Sequence, residues 1–160
     1  MSKKRSETGN MLESVVLNTF IQKGFKSYAF SHYEKRKEKI EEHSILLTNA
    51  PFENIYGQVS RTEFLAISPD FQSGPIRIEC KWQQTSGSVD EKFPYLYLNV
   101  IEAMPEKTIV ILYGGGGYRH GAIEWLKKAV VERLYQVDCP KTILVFNIDE
   151  FIKWANNNFR

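Results

Sequence analysis

Thr108-Ile109-Val110-Ile111-Leu112-Tyr113 is an unbroken apolar run that stops at four consecutive glycines, Gly114 to Gly117. A strand with one wet face alternates polar and apolar residues. An unbroken run therefore reads as a strand covered on both faces. Covering both faces takes helices on either side of a sheet, so an α/β architecture is expected.

The rest of the pattern agrees. A first helix is expected from about Thr8 to Lys23, with Gly24 as its stop and Met11, Leu12, Val15, Val16, Thr19 and Phe20 on its apolar face. Strands are expected at Ser44–Leu47, Asn54–Gln58, Thr62–Ile67 and Ile76–Trp82. The last two flank Ser68-Pro69-Asp70-Phe71-Gln72-Ser73-Gly74-Pro75, dense in turn formers, and so form a hairpin. Ser88-Val89-Asp90-Glu91 has the S-x-x-E form of a capping box and should start a helix that runs to about Ala103. A helix from about Gly121 to Tyr135, a buried strand at Thr142–Phe146 and a helix at Asp149–Asn156 complete an α/β sandwich on a mixed sheet.

With 160 residues, 42% hydrophobic and 25% charged, the chain has the size and composition of one globular domain, taken as residues 1–160. Its 21 basic and 19 acidic residues leave a net charge of +2. Any nucleic-acid surface must then be local. The run Tyr33 to Glu42 is read as a solvated segment rather than a phosphate-binding arm, because its acids nearly cancel its bases. Cys80 and Cys139 form no C-x-x-C and read as free thiols of a reducing, cytoplasmic compartment. The N-terminus has no apolar signal region, and no stretch has the length of a membrane span.

The chemistry concentrates in Ile76-Arg77-Ile78-Glu79-Cys80-Lys81-Trp82-Gln83. Strand side chains alternate, so Ile78, Cys80 and Trp82 pack the core while Glu79, Lys81 and Gln83 share the other face. An acid, a base and an amide in one row are costly if buried without a task. Phosphodiester hydrolysis would use them: paired carboxylates hold Mg2+ through oxygen, and a lysine orients or deprotonates water and offsets transition-state charge. The second carboxylate must come from across the hairpin. Asp70 fits a literal reading of spacing, but it sits in the turn. With the turn centred near Gln72, the position opposite residues 79 to 81 is near 63 to 65. Pairing thus favours Glu63 as the second metal ligand, with Asp70 the alternative.

The pattern resembles the PD-(D/E)XK nuclease superfamily, from about residue 9 to residue 135. Glu63 matches the first acid, where the family usually has Asp. Glu79-Cys80-Lys81 matches the (D/E)XK element, Gln83 the amide often found beyond it, and Glu13 the first-helix glutamate of many members. The resemblance implies a restriction-endonuclease-like α/β/α sandwich with a central mixed β-sheet. It also implies a Mg2+-dependent endonuclease, Mn2+ substituting, that hydrolyses phosphodiester bonds in DNA. The type would be restriction, homing or repair/recombination. Its site would comprise Glu63, Glu79, Lys81, Gln83 and Glu13, with Glu63 and Glu79 on the metal.

The alternative is a catalytically inactive nucleic-acid-binding or assembly module of the same fold. Retention of the whole acidic and basic set argues against it. A nucleotide-binding loop at the glycine run is disfavoured, because the G-K-[ST] ending is absent. That run reads instead as a flexible strand-to-helix turn. Gln84, Arg119 and His120 are candidate nucleic-acid contacts from the loops beside the site. Lys92 reads as a solvent lysine. Tyr95, Tyr97 and the tryptophans Trp82, Trp125 and Trp154 read as structural. So small a chain leaves little room for a separate recognition domain, and a homodimer would let one subunit address each DNA strand.

Overall fold

The computed structural model describes residues 9–136, 138 and 141–159. The order along the chain is α1 (Gly9–Gln22), β1 (Lys26–Ala29), α2 (Phe30–Arg36), a 3-10 turn at Lys37–Lys39, β2 (Ile45–Glu53), β3 (Val59–Ile67), β4 (Ile76–Trp82), α3 (Val89–Glu102), β5 (Thr108–Gly114), α4 (Ala122–Val131), β6 (Thr142–Phe146) and α5 (Ile148–Asn158). The strands form one sheet in the order β1-β2-β3-β4-β5-β6. β3 is antiparallel to both of its neighbours, β2 and β4, while β1 runs parallel to β2 and β4, β5 and β6 run parallel to one another. Hairpins need only short turns, whereas the parallel steps need crossovers, through α2 from β1 to β2, α3 from β4 to β5 and α4 from β5 to β6.

Burial of β5 on both faces is borne out, with Thr108 through Leu112 all buried. Leu12, Val16 and Phe20 of α1 and Phe151 of α5 cover one face, against Ile78, Cys80, Val110 and Leu112. Phe93, Leu96 and Tyr97 of α3 and Leu126 of α4 cover the other, against Ile109, Ile111 and Ile143. A third cluster joins Ile45, Leu47, Ala50 and Leu65 beneath Tyr28, Phe30 and Tyr33. Full burial of each such large side chain is worth about 1.5–3 kcal/mol. The result is the α/β/α sandwich on a mixed sheet that the pattern led us to expect.

Several local expectations are corrected. Asn54–Gln58 is a turn rather than a strand, because the Asn54 side-chain oxygen accepts from the N–H groups of Tyr56 and Gln58, and Gly57 takes a φ of +73°. β2 runs on to Glu53, well past Leu47. The segment before the charged run forms β1, which pairs with β2. The charged run itself is mostly solvated within α2 and the turn after it, as expected. Met11 is 49% exposed and so does not belong to the apolar face of α1. α4 ends at Val131, short of Tyr135, which has a φ of +59°. Cys80 is a buried free thiol, as expected, while Thr8 and Cys139 lie outside the described residues.

The β2–β3 ladder is irregular at one point, close to the strand end that carries Glu63. Its register goes from Thr48↔Phe64 to Ala50↔Thr62 and skips the pair Asn49–Glu63, with Asn49 in left-handed backbone at φ +54°. Leu47 and Ala50, three apart, consequently pack in the same cluster. Side-chain alternation is reset at this kink, as at a β-bulge.

Candidate active site

The β3–β4 ladder contains Phe64↔Ile78, Leu65↔Arg77 and Ala66↔Ile76, and then the strands part. Glu63 is the first residue past the last rung. Cys80, on β4, would have its N–H stranded by the split. The Glu63 carboxylate accepts that N–H at 2.8 Å, so a side chain completes what the ladder leaves open. Across the split, Glu79 and Lys81 share one face of β4, as alternation predicts. Lys81 Nζ donates to Glu79 Oε1, while the buried Glu79 Oε2 has no hydrogen-bond partner.

The charges feel one another. Burial, and then the negative charge of Glu79, push the Glu63 acid up to about 7, against the pull of Lys81 and the Cys80 N–H. Burial alone would lower Lys81, yet Glu79 and Glu63 together hold it above the usual lysine value and keep it cationic. Burial and the nearby carboxylates of Glu63, Glu79 and Glu13 push the Cys80 thiol well up, so it is no nucleophile. Glu63 lines a cavity of about 220 Å³ with Glu13, Thr48 and Asn49. Glu79 and Lys81 line another of about 270 Å³ with Arg61, Lys92 and Tyr95. The two acids therefore approach the split from different cavities.

Among the described residues, no three Asp, Glu, His or Cys side chains converge as a closed metal cage. Mg2+ does not need one; it takes one or two carboxylates and keeps several waters. An unpartnered buried carboxylate oxygen, beside an acid held up by burial and then by a neighbouring negative charge, is a donor set that a divalent cation would satisfy. The residues fit the ion.

Asp70 lies in the turn at the far end of the β3–β4 hairpin, where its N–H donates to Ser68 Oγ. Gln83 faces the side expected but has other partners. Its amide donates to the Gly117 carbonyl at 2.9 Å and to Asp90, and its oxygen accepts the Val89 N–H at 2.8 Å. Gln83, not Ser88, thus caps α3; Ser88 forms no side-chain cap, and the expected capping box is corrected. Asp90 in turn accepts the N–H of Arg119. Gln84, Arg119 and His120 are exposed on the loops past β4 and β5.

Those loops are packed rather than loose, which corrects the expected flexible turn. A Cβ on Gly115, at φ +89°, would lie 2.2 Å from the Gln83 carbonyl oxygen, and one on Gly117 2.5 Å from the Thr85 backbone. The glycines allow two backbones to touch. Sequence reasoning also missed Tyr118, whose hydroxyl donates to the Lys81 carbonyl at 2.6 Å, and Arg77. The buried Arg77 guanidinium forks onto Glu106 at 2.7 and 2.9 Å and donates to the Ala50 and Pro51 carbonyls and to Thr62. It braces the kink that turns Glu63. An arginine inside an apolar strand was the visible signal; its partner, far off in sequence, was not.

A protein-family model described as a PD-(D/E)XK nuclease superfamily domain matches residues 4–159. No curated protein and no solved structure gives a match.

Proposed function

The chain belongs to the PD-(D/E)XK nuclease superfamily, and its mixed-sheet sandwich is consistent with the restriction-endonuclease-like fold; on that premise we propose that it is a Mg2+-dependent endonuclease cleaving phosphodiester bonds in DNA. The observation that carries the reading is the Glu63 carboxylate held by the Cys80 N–H beside the Glu79–Lys81 pair, whose second carboxylate oxygen is unpartnered.

Glu63 and Glu79 would hold the Mg2+, and Mn2+ has the same donor preferences. When bound, the ion supplies Lewis-acid polarisation of the phosphate and a more acidic water. Lys81, kept cationic by both acids, offers its charge to the phosphate oxygens as negative charge develops. Glu13 lines the Glu63 cavity and orients water from the α1 side. Gln83 acts through the fold, fixing the loop after Lys81 to the start of α3. Gln84, Arg119 and His120 border the site as contacts for the phosphate backbone.

Residues 1–160 are read as one cytoplasmic nuclease domain. The single sheet supports that reading, and among the described residues no helix is long and apolar enough to cross a membrane. A homodimer would bring one site to each strand of a duplex, and light scattering on and off DNA tests it.

Incubation with plasmid, single-stranded DNA, branched DNA and RNA, with and without Mg2+, is the direct test. Mg2+-dependent DNA fragments that vanish in Glu79→Gln are expected. Bound DNA that neither Mg2+ nor Mn2+ leads the protein to cut would make this a binding or assembly module of the same fold.

A further inference from the structure

Beside Lys81 and Glu79, the cavity of about 270 Å³ continues over an apolar floor of Phe52, Leu96 and Met104 to the ring of Tyr95. Its two other cations, Arg61 and Lys92, are exposed, and among the described residues neither makes an ion pair or hydrogen bond. Tyr95 stacks on Tyr56, with ring centroids 5.4 Å apart and planes 22° apart. Tyr56 is 72% exposed, so most of its ring covers nothing in the protein. It is nevertheless held in place. Asn54 closes the β2–β3 turn, and the Asn99 side chain on α3 accepts the Ile55 N–H at 3.0 Å, tying turn to helix. A fixed but uncovered aromatic stack, next to an apolar pocket rimmed by unpaired cations, has the chemistry of a nucleobase platform.

We propose that this cavity takes one nucleobase of DNA, with Tyr95 and Tyr56 as the stacking platform and Arg61 and Lys92 on the flanking phosphates. The proposal rests on the nuclease reading, because it is Glu79 and Lys81 on the same wall that put the scissile phosphate next to the base. The volume lies just under the roughly 300–1,000 Å³ of pockets that take larger ligands, so it suits a single heterocycle. A base can enter only if it is unpaired. The preferred substrate is therefore a single-stranded or unpaired segment, and an intact duplex is the poorer one.

Fluorescence anisotropy of the full chain in chelator tests this with a labelled single-stranded 12-mer, a blunt duplex of about the same length, and single strands carrying one abasic position scanned along the oligomer. The single strand should bind about tenfold or more tighter than the duplex, and one abasic position should weaken it by about tenfold, the loss of one stacked base. Tyr95→Ala should show the same loss and be insensitive to the abasic position, whereas Tyr95→Phe should keep both affinity and sensitivity. Equal affinity for duplex and single strand, or indifference of the unaltered chain to every abasic position, overturns the proposal. Duplex cleavage with Mg2+ alongside such indifference rejects the pocket and leaves the nuclease reading intact. Base-dependent binding without cleavage by any divalent cation supports the pocket and rejects the nuclease reading.

Discussion

The Glu63 carboxylate accepts the backbone N–H of Cys80 at 2.8 Å, across a gap that the β3–β4 ladder does not close. Glu63 thereby becomes a positioned acid. Its aim depends on a strand opening, on the kink at Asn49 and on the Arg77 brace, and these features make separable predictions.

Glu79→Gln and Lys81→Ala should each lower Mg2+-dependent cleavage by about 10²–10³-fold or more, the scale of removing one preorganised electrostatic group. Both variants should keep a folded circular-dichroism spectrum and a cooperative melt, because the sandwich core lies in other residues. Cleavage at the unaltered rate by either variant would falsify their assignment to the site.

The acid of Glu63 is raised from 4.5 to about 7 in the fold, so the native state favours its protonated form. The corresponding stability is fully present below about pH 4.5 and is lost as pH rises through about 7. At 1.36 kcal/mol per unit this amounts to a few kcal/mol, on the order of 3. Lys81, shifted upward, loses its own contribution only above the ordinary lysine range, outside that window. Melting temperature in chelator should therefore fall between pH 5 and pH 8, and the fall should flatten in Glu63→Gln. Added Mg2+ should stabilise more at pH 8 than at pH 5, since proton and cation compete for the carboxylate. A Mg2+ effect independent of pH would count against Glu63 as a ligand.

Glu106→Ala should destabilise the protein by about 3–5 kcal/mol, because it strands a buried guanidinium. Arg77 is 2% exposed and has no other carboxylate among its bonds. Urea denaturation reads the change directly, and a loss below about 1 kcal/mol, the scale of a surface pair, would show that the fork is solvated.

The loops beyond β4 and β5 separate two explanations for each residue. Gln83→Ala should cost about 1–3 kcal/mol through the lost α3 cap, and Ser88→Ala less than about 0.5 kcal/mol. Gly115→Ala should destabilise strongly, while Gly116→Ala should be tolerated, because a Cβ on Gly116 meets nothing within 4 Å. Equal melting temperatures for the two alanine variants would show that the Gly115 contact relaxes without strain.

Much of this was legible in the linear sequence. The unbroken run at 108 to 113 required helices on both faces, and alternation put Glu79 and Lys81 together. The hairpin centre pointed to Glu63, because strand and turn periods are local properties of the chain. In the structure the β3–β4 ladder ends at Phe64↔Ile78, one residue short of Glu63, and it is the Glu63 side chain that reaches across to the Cys80 N–H. Other features depended on partners distant in sequence. Arg77 needed Glu106, and the α3 cap came from Gln83 because its amide reached Val89 before the nearby Ser88 could serve. The glycine run looked loose until the Gln83 and Thr85 backbones lay against it. Local spacing decides which face a side chain takes, whereas the opening of a ladder, the carboxylate that fills it and the charge it carries depend on segments meeting in space. The sequence alone determined the layers and the row of charged groups, and only the tertiary contacts decided how those groups are aimed and buried.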